Sequence, residues 1–338
     1  MHRIPLTRVA AFSPFIAYLE ASGCNLAMHM SSAGIPREIL QSEDNLIPLR
    51  QASAFLEMVS EKEGAKSLGL EVGSRTSMLN FGILGDILSR SLTLHDLLNR
   101  LVRWVPLLDS GAHVWVEAPE GSDCVRLCLR HDTDLGRELI DGYALFLMLD
   151  SVRLATGSTW RPGKVWLDRK AGSDLSDFEV LSEAEVDRQV DFVAFEIPKR
   201  FIPRTVKPLG GGAVRSQSPE TDYLTNAPAL NLEESVAQSI RSRFGNQAPT
   251  IGEIAELSHS SIRTLQRRLK ESGQDFSEIL DRVRFDEATA LLSSGKPLMA
   301  DISHHLGYSD PAHFTHAFRR WSGVSPQQYV EQLDRRGK

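Results

Sequence analysis

Toward the end of the chain, apolar positions fall into two blocks of helical spacing separated by a sharp break. Ile302, His305 and Leu306 give a short first helix one apolar stripe. Gly307 then supplies the backbone freedom of a tight turn, Ser309 or Asp310 can cap a new helix, and Pro311 sits in its first turn, where a missing N–H costs nothing. Phe314, Ala317, Phe318 and Trp321 continue the helical repeat and are expected to bury. That leaves Ala312, His313, Thr315, His316, Arg319 and Arg320 facing outward, a mixture of small, hydrogen-bonding and cationic groups suited to base edges and phosphates. Taken alone, this could also be an ordinary amphipathic hairpin with a solvated face.

The same pattern occurs upstream. Thr250 can cap a helix with Glu253 completing a capping box, and Ile251, Ile254, Ala255 and Leu257 form its apolar side. Ser260 or Ser261 can cap the next helix, in which Ile262, Leu265 and Leu269 face inward. Arg263, Gln266, Arg267 and Lys270 then project from the opposite side at i, i+3, i+4 and i+7, a cationic stripe suited to phosphates and guanine. Residues 276–292 read as a helix bridging the two units.

Two such units in tandem, joined by a helix and closed by Gly323-Val-Ser-Pro326, resemble the DNA-binding domain of the AraC/XylS family of bacterial transcriptional regulators. The resemblance covers roughly Asn231 to Leu333, about a third of the chain, with the first helix-turn-helix at about 250–271 and the second at about 301–321. It implies double-stranded promoter DNA as partner, with each unit's second helix in the major groove and the two about 34 Å apart along the duplex. Position by position, Arg263, Gln266 and Arg267 fall where the first reading helix touches bases and backbone, with Ser261 and Lys270 beside them. Ala312, Thr315 and His316 fall where the second does, next to His313, and Arg319 and Arg320 match positions that contact phosphates.

The chain departs from the family pattern at His316, where Arg or Lys is usual, at Ser303 for Ala, at Ser258 for Leu, and at His259 in a turn position that is often Gly. The first unit is therefore expected to supply most of the base readout. The second contributes phosphate anchoring and, through His316, a contact that titrates near neutrality.

Earlier in the chain the pattern predicts an α+β domain with its helices first. Helical spacing runs over 12–33, 49–63, 82–88 and 93–108, where Thr93 is a good cap. Alternation then predicts strands at 113–117 and 124–130, a long helix over 135–156, and strands near 164–167 and 190–197. Residues 208–219 are rich in Gly, Ser and Pro and read as a linker or its start. The resulting division is an effector-binding and dimerisation domain at 1–204, a linker at 205–230 and an all-α DNA-binding domain at 231–338 with two tandem helix-turn-helix units, its first helix near 235–244. Phe81-Gly-Ile-Leu-Gly85 followed by Thr93-Leu94 is similar to the N-terminal ligand-binding domain of one AraC subgroup, which implies a small-molecule effector and a homodimer. The helix-first layout argues against the β-barrel sensor of arabinose-responsive members. The family also implies an activator that works with RNA polymerase.

Overall, 38 Lys and Arg stand against 44 Asp and Glu, a balance that by itself disfavours nucleic acid. From Asn231 onward, however, the two signs are equal at 14 each, so the acidic excess belongs to the first 230 residues. Phosphate attraction acts over about 8–10 Å, so local arrangement decides. No apolar run reaches the roughly 18 residues of a membrane span, and the N-terminus lacks an export signal core, which points to the cytoplasm. Cys24, Cys124 and Cys128 read as free thiols, and no metal or other cofactor is implied.

Phosphate-binding Gly loops, a nucleophile elbow and a His-Glu-x-x-His helix are all missing from the sequence, so an enzyme is not expected. The alternative is a ligand-binding or enzymatic N-terminal module whose degenerate DNA-binding domain docks onto another protein. An arginine group at 75, 90, 100 and 103 and the indoles of Trp104, Trp115 and Trp166 are candidate pocket features, more simply read as surface charge and core. His95, His113 and His131 read as structural.

Overall fold

In the computed structural model the chain forms two compact units. One comprises Pro5–His29 and Ser42–Pro228, and the other Ala229–Lys338 with Met1–Ile4 and Met30–Gln41. The structure describes residues 3–168, 175, 177–206, 219–245, 248–294 and 298–336. Of the segment read as a linker or its start, 208–219, residues 208–218 lie outside them, and its last residue opens a helix, Pro219–Thr225.

The larger unit is α+β. Strand β1 (Leu6–Arg8) pairs antiparallel with β2 (Leu46–Pro48), and helices α1 (Val9–Ala21) and α2 (Leu26–Ser32) follow β1. The periodicity over 12–33 is thus two helices, broken at Ser22-Gly23-Cys24 where Gly23 takes φ of 79°. Next come α3 (Leu49–Glu63), α4 (Leu68–Ser74), α5 (Gly82–Ser89) and α6 (Leu94–Trp104). The Thr93 side chain accepts the Asp96 N–H at 3.2 Å and so starts α6, as its sequence position predicts. Five strands, β3 (Ala112–Glu117), β4 (Cys124–His131), β5 (Lys164–Asp168), β6 (Glu185–Val190) and β7 (Val193–Pro198), form an open sheet in the order β3-β4-β7-β5-β6. Only β5 and β6 run parallel. Alternation places Leu127, Leu129 and Phe195 in the core, and α7 (Arg137–Thr156) packs against β4 and β7.

Helix α7 is apolar on nearly every side because α4 covers another of its faces. Gly69 on α4 makes that approach possible, since a Cβ there would lie 1.9 Å from the Leu139 carbonyl oxygen of α7. Helix α8 (Pro219–Thr225) is held by a side chain with no counterpart in the sequence pattern. Arg8 is 1% exposed. It donates Nε–H to Leu107 O at 3.0 Å, Nη1–H to Asp44 at 2.6 Å and Nη2–H to Tyr223 O at 2.6 Å, with its guanidinium 4.2 Å from the Tyr223 ring centre. A buried cation is tolerable only with its donors satisfied, so Arg8 pins residues placed beyond the predicted domain boundary onto the first strand.

The second unit is all-α over the described residues. Asn231 caps α9 (Leu232–Arg241), and α10 (Ile251–Leu257), α11 (Ile262–Glu271), α12 (Phe276–Ser293), α13 (Met299–His305), α14 (Pro311–Ser322) and α15 (Pro326–Arg336) follow. Leu265, Leu269, Ile279, Val283, Phe314 and Phe318 share one core, in which α12 packs against α9, α14 and α15.

Candidate nucleic-acid interface and ligand cavity

Thr250 and Glu253 form a complete capping box at the start of α10. Burial alone would raise the Glu253 pKa, but hydrogen bonds from Thr250 and the charge of Arg243 outweigh it and hold this carboxyl below its usual range. Ser261, rather than Ser260, caps α11 by accepting the Thr264 N–H at 3.2 Å. With Leu265 and Leu269 locked in the core, Arg263, Gln266, Arg267 and Lys270 are exposed on the opposite face, the arrangement their spacing requires. Arg267 pairs with Glu271 at 2.8 Å, but both are well exposed, so a phosphate can displace the contact at little cost. Ile262 departs from expectation. It is 47% exposed because it lies over Gly252, which has no side chain to cover it.

In the second unit the turn depends on Gly307, whose φ is 79° and where a Cβ would fall 2.5 Å from the Ala248 N. Asp310 accepts the Ala312 N–H at 2.7 Å and Pro311 opens α14. Phe314, Ala317 and Phe318 are buried, whereas Trp321 is only half-buried. His305 is not part of an apolar stripe. It is half-buried with Nε2 3.2 Å from Glu287, and its ring centre lies 5.8 Å from that of Phe244. Ala312, His313, His316, Arg319 and Arg320 are exposed. The Thr315 hydroxyl donates to Pro311 O at 2.9 Å, which leaves an acceptor lone pair and the methyl group for a base. Arg320 is paired to Asp281 of α12 at 2.6 Å.

The larger unit contains a partly open cavity of about 70 Å³. Phe12, Phe15, Leu49, Leu56, Leu101 and Met148 are among its walls, and Asp109, His131 and Tyr143 are the titratable groups lining it. His131 Nδ1 is 2.8 Å from Asp141, which Arg137 also contacts at 3.3 Å. Burial pushes the His131 pKa down, but the Asp141 hydrogen bond and the charges of Asp141 and Asp109 more than offset it, so the net shift is upward. Asp109 is raised by burial, although its carboxylate accepts the Gly111 N–H at 2.8 Å. Tyr143 is raised well above its usual value by burial, and its hydroxyl has no hydrogen-bond partner among the described residues.

The other candidate features do not converge on this cavity. Arg100 contacts Asp96, Ile87 O and Glu220, Arg75 lies over Tyr18, and Arg103 over Trp104. Trp104 packs with Tyr223, and Trp166 with Cys128 and Ala194. His113 is an exposed partner of Asp132, and His95 faces Asn99. All three cysteines are free, and burial pushes the Cys128 thiol up to about 12. Cys24, His29 and Glu63 offer ligand atoms within 4.8 Å of one another. However, the buried Nδ1 of His29 lacks the acceptor that an Nε2-bound metal ligand needs behind it.

Comparison with known proteins matches residues 254–332 to a helix-turn-helix domain and residues 23–206, more than half the chain, to the arabinose-binding N-terminal domain of AraC transcription regulators. The chain belongs to the AraC family of transcriptional regulators. An uncharacterised HTH-type transcriptional regulator of Mycobacterium tuberculosis is 25% identical over 83% of each chain. The ornithine utilization regulator of Pseudomonas aeruginosa is 21% identical over 97% of this chain and 98% of its own. The crystal structure of the regulator CdpR from Pseudomonas aeruginosa is 20% identical with a TM-score of 0.42, covering 95% of this chain and 98% of that one.

Two departures from the AraC pattern have structural consequences. His259 occupies its turn with φ of 49°, a conformation in which glycine is least strained. Ser303 is 1% exposed and its hydroxyl has no partner among the described residues. Replacing Ser303 with Ala is expected to raise stability by about 1 kcal/mol, because an unpaired buried hydroxyl is removed without loss of packing. Thermal or urea unfolding of the two proteins checks this.

The cavity groups were missed in the sequence. Asp109, His131 and Tyr143 come from a loop, a strand and a helix far apart in the chain. The available signal was Asp141-Gly-Tyr143, polar positions inside the otherwise apolar stretch from Leu139 to Leu149.

Proposed function

We propose that this AraC-family regulator binds promoter DNA sequence-specifically, as a homodimer in the cytoplasm, and activates transcription when a small molecule occupies its larger unit. The observation that carries the reading is the exposed stripe of Arg263, Gln266, Arg267 and Lys270 on a helix whose other face is locked in a core. A rigid helix with cationic and amide groups at successive turns can hold phosphates and read purine edges together. Activation through RNA polymerase accords with the relatives RhaS and CfaD of Escherichia coli, both named transcriptional activators and 37% and 31% identical over about a quarter of this chain. Effector control accords with the ligand-binding type of the N-terminal domain. Occupancy of the cavity then favours the DNA-competent arrangement over others already populated.

The test is fluorescence anisotropy of the full chain on duplexes from the region upstream of its own coding sequence, against random duplexes of equal length. We expect a preference for the former and a log-log salt slope of roughly −3 for each stripe if Arg263, Arg267 and Lys270 neutralise phosphates at ~0.9 each. Equal affinity for both, with and without cell metabolites, would sink the reading. The docking alternative predicts that result.

A further inference from the structure

The effector is named by the chemistry of the cavity, and the inference rests on the effector-controlled reading above. We propose that the cavity of the larger unit binds a small, uncharged, mainly hydrocarbon molecule carrying one hydrogen-bonding group, held by the Tyr143 hydroxyl, and that it does not bind a sugar.

Three observations carry this. First, Tyr143 lines the cavity with a buried hydroxyl that has no partner among the described residues, while its ring is fixed against Phe15 at 4.6 Å between centres. A buried hydroxyl without a partner is unfavourable, and a ligand group that meets it recovers that loss on binding. Second, apart from Asp109, His131 and the hydroxyls of Thr7 and Ser53, which bond to Asp109 and to Leu49 O and Thr133, the wall is hydrocarbon, from residues such as Phe12, Leu49, Leu56, Leu101, Leu147 and Met148. A pentose would leave most of its hydroxyls facing such groups with their hydrogen bonds to water unreplaced.

Third, the charged groups at the cavity already answer one another. His131 is held by Asp141, Asp141 by Arg137, and Asp109 by the Gly111 N–H. A ligand carboxylate would be a third anion beside the single His131, which already faces Asp141 and Asp109, and a ligand ammonium would add a cation beside a His131 whose pKa those two carboxyls shift upward. Either would lose its hydration without a matching partner. A neutral head avoids both penalties.

The size follows from the volume. About 70 Å³ of accessible space is several times the roughly 10–15 Å³ that a single water requires, which suits a small molecule without rearrangement. Phe81 lines both this cavity and an open groove beside it that includes Ala17, Tyr18 and Arg75. Phe81 thus lies between the two spaces.

The experiment uses the full chain with 1-hexanol, hexanoate, hexylamine and L-arabinose, followed by thermal shift and titration calorimetry. Hexanol is expected to raise the melting temperature and to bind at least about tenfold more tightly than either charged hexyl compound, with no binding of arabinose. Tyr143→Phe removes only an unpartnered hydroxyl, so it should fold normally and weaken hexanol binding about fivefold. Ala144→Leu, which fills the cavity, should abolish hexanol binding and provides a second variant. Binding of arabinose, equal binding of hexanoate or hexylamine, or hexanol affinity untouched by both variants overturns the assignment.

DNA anisotropy with hexanol and with a cell extract separates this proposal from the one beneath it. If the extract alters DNA affinity while no hexyl compound binds, the cavity assignment fails and effector control stands. If hexanol binds as described and neither addition alters DNA affinity, effector control fails and the cavity assignment stands.

Discussion

Replacing Arg263 and Gln266 together with alanine is expected to abolish discrimination between the target site and random DNA while leaving the melting temperature unchanged. Both side chains are exposed on α11, and the core is held from the other face by Leu265 and Leu269, so neither substitution opens a cavity. A bidentate side-chain contact to a base is worth about 1–3 kcal/mol of discrimination, and removing two together amounts to roughly 2–6 kcal/mol. Lys270→Ala serves as the contrast. Without that ammonium to neutralise a phosphate, binding to all sequences should weaken alike and the salt slope should fall by about 1. Anisotropy on matched and random duplexes at several salt concentrations separates the two patterns. A double variant that still prefers its site would remove α11 from base reading and shift that role to α14.

The second large effect lies in the other unit. Gly69→Val is expected to destabilise the chain by at least about 3 kcal/mol, because the added side chain must displace the backbone of α7 rather than another side chain. A Cβ at position 69 would lie 1.9 Å from the Leu139 oxygen, and one at Gly73, a turn further along α4, 2.9 Å from the Tyr143 oxygen. Helices that approach this closely have no alternative rotamer with which to absorb a methyl group. Gly163→Ala is the control, since no atom lies within 4 Å of the position its Cβ would take and its φ lies outside the left-handed range. Calorimetric unfolding should show Gly69→Val melting far below the parent and Gly163→Ala close to it. Because Tyr143 sits on the displaced stretch of α7, Gly69→Val should also weaken any ligand in the cavity.

The two regions were unequally legible in the sequence, for a physical reason visible in single residues. In the helix-turn-helix units the information is local. Thr250 and Glu253 cap over three residues, Ser261 caps over three, and Asp310 with Pro311 fixes the start of α14. An exposed reading face is then whatever the buried repeat of Leu265 and Leu269, or of Phe314 and Phe318, leaves on the other side. Ile262 and His305 escaped the local rule because burial depends on the neighbour, a glycine for one and a glutamate for the other. In the larger unit, periodicity revealed most of the helices, the strands of the sheet's first hairpin, β5 and most of β7, but neither β1 with β2, nor β6, nor α4 with its glycines. Three-residue strands and seven-residue helices carry too few positions for a period to stand out.

The sequence by itself determined the helix boundaries that rest on capping, the cationic stripe and the two-unit design of the reader, because each is set by side chains within a few residues of one another. Only the tertiary structure decided the contents of the larger unit's interior. Arg8 meets Asp44, Leu107 and Tyr223 across as many as 215 residues of chain, and Asp109, His131 and Tyr143 reach one cavity from three separate elements. Whether a buried polar group is satisfied or left waiting for a ligand depends on which distant atoms the fold brings beside it, and no local pattern encodes that.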